Sequence, residues 1–275
     1  MKKLYIYGVG GLGREIHELL KTINVIHPKW SITGFIDDDK IGYAGEGIPV
    51  LSGADFLGEL KEPVDVVLGI ANTRIKEKLY KELKNNELIS FPAVVHPSVI
   101  ISGSSIISEG AVIFYSCFIS VNTYVGTTSL MSAGSQLAHD SKLGDFCSVM
   151  PSVNISGNVK IGERVFIGVQ SSIRQGICIG KDSVIGMGSV VVKDVPENCT
   201  VVGNPAKEIR IKILITRREI VMGKFRCLEC GLEFELDTNE KTKNCPECRS
   251  RYLEYLVGEP LKRGKSWSAK TFSVK

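Results

Sequence analysis

Sixteen apolar residues recur at an interval of six, without a slip, from residue 101 to residue 191. They are Ile101, Ile107, Ile113, Ile119, Val125, Met131, Leu137, Leu143, Val149, Ile155, Ile161, Ile167, Ile173, Ile179, Ile185 and Val191. A helix repeats every 3.6 residues and a strand every two, so neither alone sustains a strict six. A stacked β-solenoid does. Each hexad is one short flat side, its apolar residue points inward, and three hexads close one triangular coil, so this stretch makes about five coils. Two residues before each apolar position stands a mostly small one, such as Ser105, Ser129, Ser135 or Ser141. Cys117 and Cys147 occupy the same slot and read as packing residues. The position after is often glycine, as at Gly126, Gly144, Gly162, Gly168, Gly180 and Gly186, which reads as the turn residue. The repeat accounts for a composition rich in glycine, 28 of 275 residues, and poor in aromatics, at 7%.

The segment before the repeat follows another rule. Residues 4–8 read as a buried strand, Arg14–Thr22 as a helix, Ile32–Ile36 and Val64–Ile70 as further strands, and Thr73–Leu83 as a second helix. Strands alternating with helices imply a parallel sheet. Between the first strand and helix lies Gly8-x-Gly10-x-x-Gly13. Glycines there permit a tight turn and close backbone approach, and the helix N-terminus offers unpaired N–H groups to a phosphate. Asp37 stands 24 residues beyond Gly13, where an acid can accept hydrogen bonds from a ribose or a base. The α/β region ends near residue 92. That is half of a two-lobed dinucleotide fold, and it suits a mononucleotide or nucleotide-sugar better than a redox dinucleotide.

Together these residues resemble the hexapeptide-repeat acyltransferases of the left-handed β-helix type. The resemblance is closest to the sugar O-/N-acyltransferase group that includes sialic acid O-acetyltransferases and the bacillosamine-pathway N-acetyltransferases. It is carried by Gly8–Gly13 with Arg14-Glu15, Gly34–Asp39, His96-Pro97, His139-Asp140, Asn154–Gly157 and Val201–Ala206, and it covers about residues 1–210. It implies acetyl-CoA as co-substrate, a sugar or nucleotide-sugar acceptor and a homotrimer. It implies His139 as general base, with Asp140 raising its basicity. It further implies coenzyme contacts near Ser148, Val169 and Met187, and sugar-nucleotide contacts at Gly10, Gly11, Leu12, Asp37, Asp38 and Gly69. Two positions depart from relatives that carry histidines there: Ser148 and Leu12. The other histidines, His17, His27 and His96, read as structural.

The remainder is different chemistry. Residues 206–275 hold 16 Lys/Arg against 10 Asp/Glu, so the net charge of +4 arises in the tail. Cys227-x-x-Cys230 and Cys245-x-x-Cys248, 14 residues apart, have the spacing of a zinc ribbon. Four thiolates suit tetrahedral Zn²⁺ in a closed structural site, and spacing alone leaves Fe open. Phe225, Leu232, Phe234, Tyr252 and Leu253 are candidates to cover it.

The sequence thus predicts an α/β plus β chain. Residues 1–92 form a Rossmann-like nucleotide-sugar-binding domain, 93–210 a left-handed β-helix, 211–257 a zinc ribbon and 258–275 a basic disordered tail. The expected activity is acetyl-CoA-dependent transfer to a hydroxyl or amine of a sugar or nucleotide-sugar in surface-polysaccharide or glycoconjugate biosynthesis. One alternative is an inactive solenoid scaffold whose metal ribbon binds protein or, second in order, nucleic acid. Another is a nucleotide-linked oxidoreductase, which the short N-terminal domain argues against. No apolar run is long enough to span a membrane and no signal peptide is evident, so a cytoplasmic location is expected.

Overall fold

The computed structural model describes residues 1–39, 42–44, 47–209, 222–237, 244–248, 250 and 253–257. The tail from residue 258 and Tyr252 lie outside these. The chain divides into two units, residues 1–211 and 212–275.

The first unit opens with a sheet of six strands: β1 (Lys2–Tyr7), β2 (Trp30–Ile36), β3 (Gly42–Tyr43), β4 (Pro49–Leu51), β5 (Val64–Leu68) and β6 (Ile89–Ser90). Their order is β3-β4-β2-β1-β5-β6, and all neighbours are parallel except β3 with β4. Every residue of β5 is buried, as befits a central strand covered on both faces. Its one acid, Asp65, accepts from Trp30 Nε1 at 2.8 Å and from Lys2 Nζ at 2.6 Å. Helices α1 (Gly11–Ile26), α2 (Gly53–Glu59) and α3 (Thr73–Leu83) connect the strands. In α1, Ile16, Leu19, Leu20 and Ile23 fall on one side and are buried.

From Val94 onward the chain winds into a three-faced prism of two-residue parallel strands. The first face begins at Val94–Val95, the second at Ile100–Ile101 and the third at Ile106–Ile107. Strands pair with those 18 residues on, as Gln136 does with Asn154. Each of the sixteen hexad residues ends one strand, and all but Ile101 and Ile107 are at most 3% exposed. At about 1.5–3 kcal/mol for each buried aliphatic side chain, this column dominates the fold.

Two features of the repeat depart from the sequence reading. The glycines after the inward residues do not make the turns. They permit close stacking, since a Cβ on Gly144 would lie 2.6 Å from the Gly162 carbonyl oxygen, and one on Gly168 would lie 2.5 Å from Met187 N. The left-handed backbone falls two residues later, at corners such as Ser116, Asn122, Asp140, Phe146, Ser152 and Asn158, with φ between 55° and 59°. The small residues also do more than fill space. Ser129, Ser135 and Ser141 donate to carbonyls 15 residues on, at 2.7, 3.0 and 2.8 Å. The thiols of Cys117 and Cys147 make the same bond, to Ser132 and Gly162 carbonyls at 3.2 and 3.1 Å. Burial pushes those thiols up to about 11 and about 12. Cys199 is buried as well, but Cys178 points outward from the third face and is not a packing residue.

The α/β domain packs on the first face. Val94, Val112, Phe114 and Leu130 share a core with α1 and β1, and Phe146 joins Tyr80 of α3. Polar contacts reinforce the α3 side. Arg164 forks onto Asp182 at 2.9 and 2.8 Å and reaches Glu77 at 3.1 Å. At the centre Lys76 is 1% exposed, and its Nζ donates to the Cys147 carbonyl at 2.8 Å and to Ser148 Oγ at 3.0 Å. Two acceptors suit the two N–H bonds of a neutral amine, and burial lowers this lysine to about 7. An unfolded lysine holds its proton up to about 10.4, so the unfolded chain binds more protons between pH 7 and that value, and stability there rises with pH. The contribution is complete above the unfolded value and is lost as pH falls to about 7. Lys76→Met should therefore change the melting temperature more favourably at pH 6.5 than at pH 10. Equal shifts at both pH values in thermal unfolding would refute a buried neutral amine.

The second unit is a three-stranded antiparallel sheet with Met222–Cys227 between Glu233–Asp237 and Leu253–Val257. Phe225 is buried and stacks on Phe234 with centroids 6.4 Å apart.

Candidate active site and metal centre

His139 sits at the edge joining the second and third faces, two residues past inward Leu137. Asp140, the next residue, takes the left-handed corner conformation at φ 59°, which turns its carboxylate back onto the imidazole. His139 Nδ1 lies 2.9 Å from Asp140 Oδ2, and Asn122 Nδ2 donates to Oδ1 at 3.2 Å. An ionised carboxylate only accepts, so Nδ1 carries a proton, and in the neutral ring Nε2 is the nitrogen left to take one. The His139 contact, and then Asn122, hold the Asp140 carboxyl below its ordinary range. Both side chains of the pair are about half exposed, at 50% and 52%.

One coil further on, Gly157 lies against the ring. A Cβ there would stand 2.4 Å from Nε2 and 2.5 Å from Cε1 of His139. Gly157 therefore fixes where the basic nitrogen can sit. Gly157→Ala should push the ring aside and lower kcat by about 100-fold, as misplacement by an ångström can. Unchanged steady-state rates would show that the ring position does not matter.

The glycine loop separates into two roles. A Cβ on Gly13 would lie 1.9 Å from the Gly8 carbonyl oxygen, and one on Gly69 would lie 2.7 Å from Gly13 Cα, so these are packed against each other. Gly10 and Gly11 face open space. The helix start they form has no side-chain cap at Gly10 and no acid in its first turn. That bare N-terminus is suited to an anion. Leu12 is partly buried against the core of the domain. Asp37 and Asp38, expected at the sugar-nucleotide, also accept hydrogen bonds from the chain itself. Asp37 accepts from Val9 N at 3.0 Å and Asp39 N at 3.1 Å. Asp38 accepts from Gly53 N at 2.8 Å and the Tyr7 hydroxyl at 3.2 Å. They hold the loop in shape.

The expected coenzyme contacts also fall in different settings. Val169 and Met187 stack one coil apart on the edge joining the first and second faces, with Met187 79% exposed. Ser148 departs from its expectation. It is fully buried beneath α3, accepts from Lys76 and donates to the Ala71 carbonyl at 2.8 Å. Its hydroxyl belongs to the domain joint and has no surface to offer a coenzyme.

A cleft of about 570 Å³ lies between α1 and this first-to-second edge. Gly11, Arg14 and Glu15 form one wall and His96, Tyr115 and Ala133 the other. The sequence alone reads His96 as structural, and only the winding of the first coil brings it here. Ala133 and His139 belong to the same coil, with the second face between them.

In the second unit the four sulfurs of Cys227, Cys230, Cys245 and Cys248 lie within 4.8 Å of one another. Cys227 and Cys248 sulfurs are 3.5 Å apart, as are those of Cys230 and Cys245. Four Zn–S bonds of about 2.3 Å in a tetrahedron require separations of about 3.8 Å, so the set fits the ion. The Cys230 N–H, 3.5 Å from Cys227 Sγ, is the largest influence holding that thiol down, to about 6. Of the residues expected to cover the site, Phe225 is buried, Phe234 and Leu253 are half-buried, and Leu232 is exposed.

Comparison with known proteins places these features. Residues 3–83 match the family described as PglD N-terminal domain, and residues 158–193 match the hexapeptide repeat of succinyl-transferase. WeeI from Acinetobacter baumannii AYE is 31% identical with a TM-score of 0.70, over 76% of this chain and all of that one. A perosamine N-acetyltransferase variant from Caulobacter crescentus, in complex with CoA and GDP-perosamine, is 25% identical with a TM-score of 0.69, over 76% and 98%. The acetyltransferase domain of PglB from Neisseria gonorrhoeae FA1090, in complex with acetyl coenzyme A, is 28% identical with a TM-score of 0.69, over 76% and 99%. Among curated sequences, YJL218W of Saccharomyces cerevisiae, whose name assigns acetyl transfer provisionally, is 56% identical over 52 residues. That match spans 19% of this chain and 26% of the relative, so the chain covers about a quarter of its length. No described helix is long and apolar enough to cross a membrane.

Proposed function

Because this chain belongs to the PglD-type hexapeptide-repeat sugar N-acetyltransferases, we propose that it moves an acetyl group from acetyl-CoA to the amine of a nucleotide-linked amino sugar in glycoconjugate biosynthesis. The observation that carries the reading is the His139–Asp140 pair, with Nδ1 turned to the carboxylate and Nε2 set against Gly157. In this reading Nε2 takes a proton from the acceptor amine as its lone pair attacks the thioester carbonyl, and CoA leaves as the thiol. Gly10 and Gly11, open at the bare start of α1, bind the diphosphate. Leu12, Asp37, Asp38 and Gly69 shape that loop. Residues 1–92 carry the nucleotide, 93–210 the chemistry and 211–257 the metal.

Within one chain the cleft beside α1 and His139 lie on opposite edges of the second face. They share a coil, however, and therefore a height along the prism. Cyclic symmetry about an axis parallel to the prism preserves height, so a second copy brings its His139 to this cleft. Exposed Ile100, Phe118 and Val121, at 66%, 39% and 48%, supply apolar surface on the intervening face and edge. A homotrimer closed in this way would enclose the coenzyme between Val169 and Met187 of one copy and His139 of the next. Zn²⁺ on the four cysteines completes the assignment.

The test is acetyl-CoA-dependent thiol release by the full chain with a panel of nucleotide-linked amino sugars, GDP-perosamine among them, alongside sedimentation analysis. Turnover with at least one member by a trimer is expected. A monomer that turns over, or a trimer indifferent to every member, overturns the reading.

A further inference from the structure

The end of the cleft beside Gly11 is accounted for by diphosphate binding; its far wall is not. There the His96 ring packs edge-on against Tyr115, with centroids 5.9 Å apart and planes at 74°. His96 Nδ1 accepts the backbone N–H of Ser98 at 3.0 Å and meets the Ser98 hydroxyl at 2.8 Å. Ser98 Oγ is itself anchored by the backbone N–H of Ser116 at 3.0 Å, one coil on. A nitrogen that accepts a backbone N–H carries no proton, so a neutral ring bears its proton on Nε2. His96 is thus a half-buried imidazole whose Nδ1 is occupied and whose Nε2 has no hydrogen-bond partner among the described residues, in the wall of a cleft of about 570 Å³.

The opposite wall supplies complementary groups. Glu18 is already paired with Lys21 at 3.1 Å. Among the described residues, Arg14 and Glu15 have no ion-pair partner. Arg14 lies in the first turn of α1, beside the anion-binding start of the helix. Glu15 is the next residue along the cleft.

We propose that His96 and Glu15 are the residues that recognise the sugar of the acceptor, His96 donating from Nε2 to a ring hydroxyl and Glu15 accepting from a hydroxyl or an ammonium on the opposite side. The inference rests on the acetyl-transfer reading above and adds what that reading lacks, namely a determinant of sugar selectivity apart from the nucleotide. A site that hydrogen-bonds a substrate hydroxyl discriminates against sugars without it, because its own donor is then left unpaired. Neither residue takes part in proton transfer, so their loss should fall on binding of the sugar.

The test compares the wild-type full chain with His96→Leu, His96→Gln and Glu15→Gln, using the nucleotide sugar that the panel shows to be acetylated. His96→Leu should raise KM for the nucleotide sugar by about 10- to 100-fold, with kcat within about threefold of wild type. The KM for acetyl-CoA should not move. His96→Gln, which keeps an N–H near the position of Nε2, should recover most of the loss, and Glu15→Gln should raise the same KM. The Ki of the matching sugar-free nucleoside diphosphate should be the same in all four proteins. Unchanged KM in His96→Leu overturns the proposal while leaving acetyl transfer standing. A Ki for the sugar-free diphosphate that rises in step with KM also overturns it, because the effect is then on the nucleotide or on folding. A wild-type protein that acetylates no nucleotide sugar removes the reading on which the proposal stands.

Discussion

His139→Ala should lower acetyl transfer by about 1,000-fold, within the range a positioned general base supplies, while leaving folding and assembly as they are. The structural part of this expectation comes from exposure. The His139 side chain is half exposed at a corner of the prism, so truncation opens no buried cavity. The chemical part comes from the tautomer. Asp140 accepts the Nδ1 proton, which leaves Nε2 as the one ring atom able to accept another, and Gly157 leaves it room. Asp140→Asn keeps the corner, because asparagine also tolerates left-handed backbone. Its amide can instead donate to Nδ1, however, and so favour the wrong tautomer, so it should cost less than His139→Ala but more than a surface change. Stopped-time assays of CoA release, paired with sedimentation of each variant, check both. Near wild-type turnover by His139→Ala would remove the histidine from the mechanism, and a dissociated variant would make it structural.

The prism was legible because its geometry leaves the sequence little choice. An inward position every six residues admits no charge, and Ile113 through Val191 obey that without exception. The division of labour within each hexad was not legible. Glycine suits both a tight turn and a close approach, and only the stacked coils show that Gly144 and Gly168 serve the second while Asp140 and Asn158 make corners. The dyad could be read from adjacent residues, yet the role of Gly157 depends on a neighbour 18 residues away, one coil in space. Ser148 was harder still. Its partner Lys76 belongs to α3 in the other domain, and nothing in the hexad pattern shows which face that domain covers. Asp37 and Asp38 sit where a ligand-binding acid is expected, and their hydrogen bonds to Val9 and Gly53 appear only when the loops close. His96 followed the same logic in reverse: a residue before proline in a connecting segment became part of a wall once the first coil was wound.

Stripping the metal should unfold the second unit while leaving the first intact. Among the side chains of this unit whose burial is described, Phe225 is the buried apolar one other than cysteine, and burying a single phenylalanine is worth about 1.5–3 kcal/mol. The ion pairs Arg226–Glu233 and Arg226–Glu254 are solvent-exposed and screened by water, so they add little. Ordering even a dozen residues costs more than that sum, at about 1–2 kcal/mol each for the backbone. Zn²⁺ bound by four thiolates brings about 10–16 kcal/mol to small domains of this kind, enough to close the gap. The expected result is one Zn²⁺ per chain by mass spectrometry. Treatment with a strong chelator should then erase amide protection across Met222–Cys227 and Leu253–Val257. Protection in β1 and β5 should be unchanged, since residues 1–211 hold their own cores. Cys245→Ser, which removes a buried ligand, should reproduce the chelated state in the presence of zinc. Retained protection after complete metal removal would show that the sheet is stable without the ion, and iron in place of zinc would keep the folding argument while changing the identity of the metal.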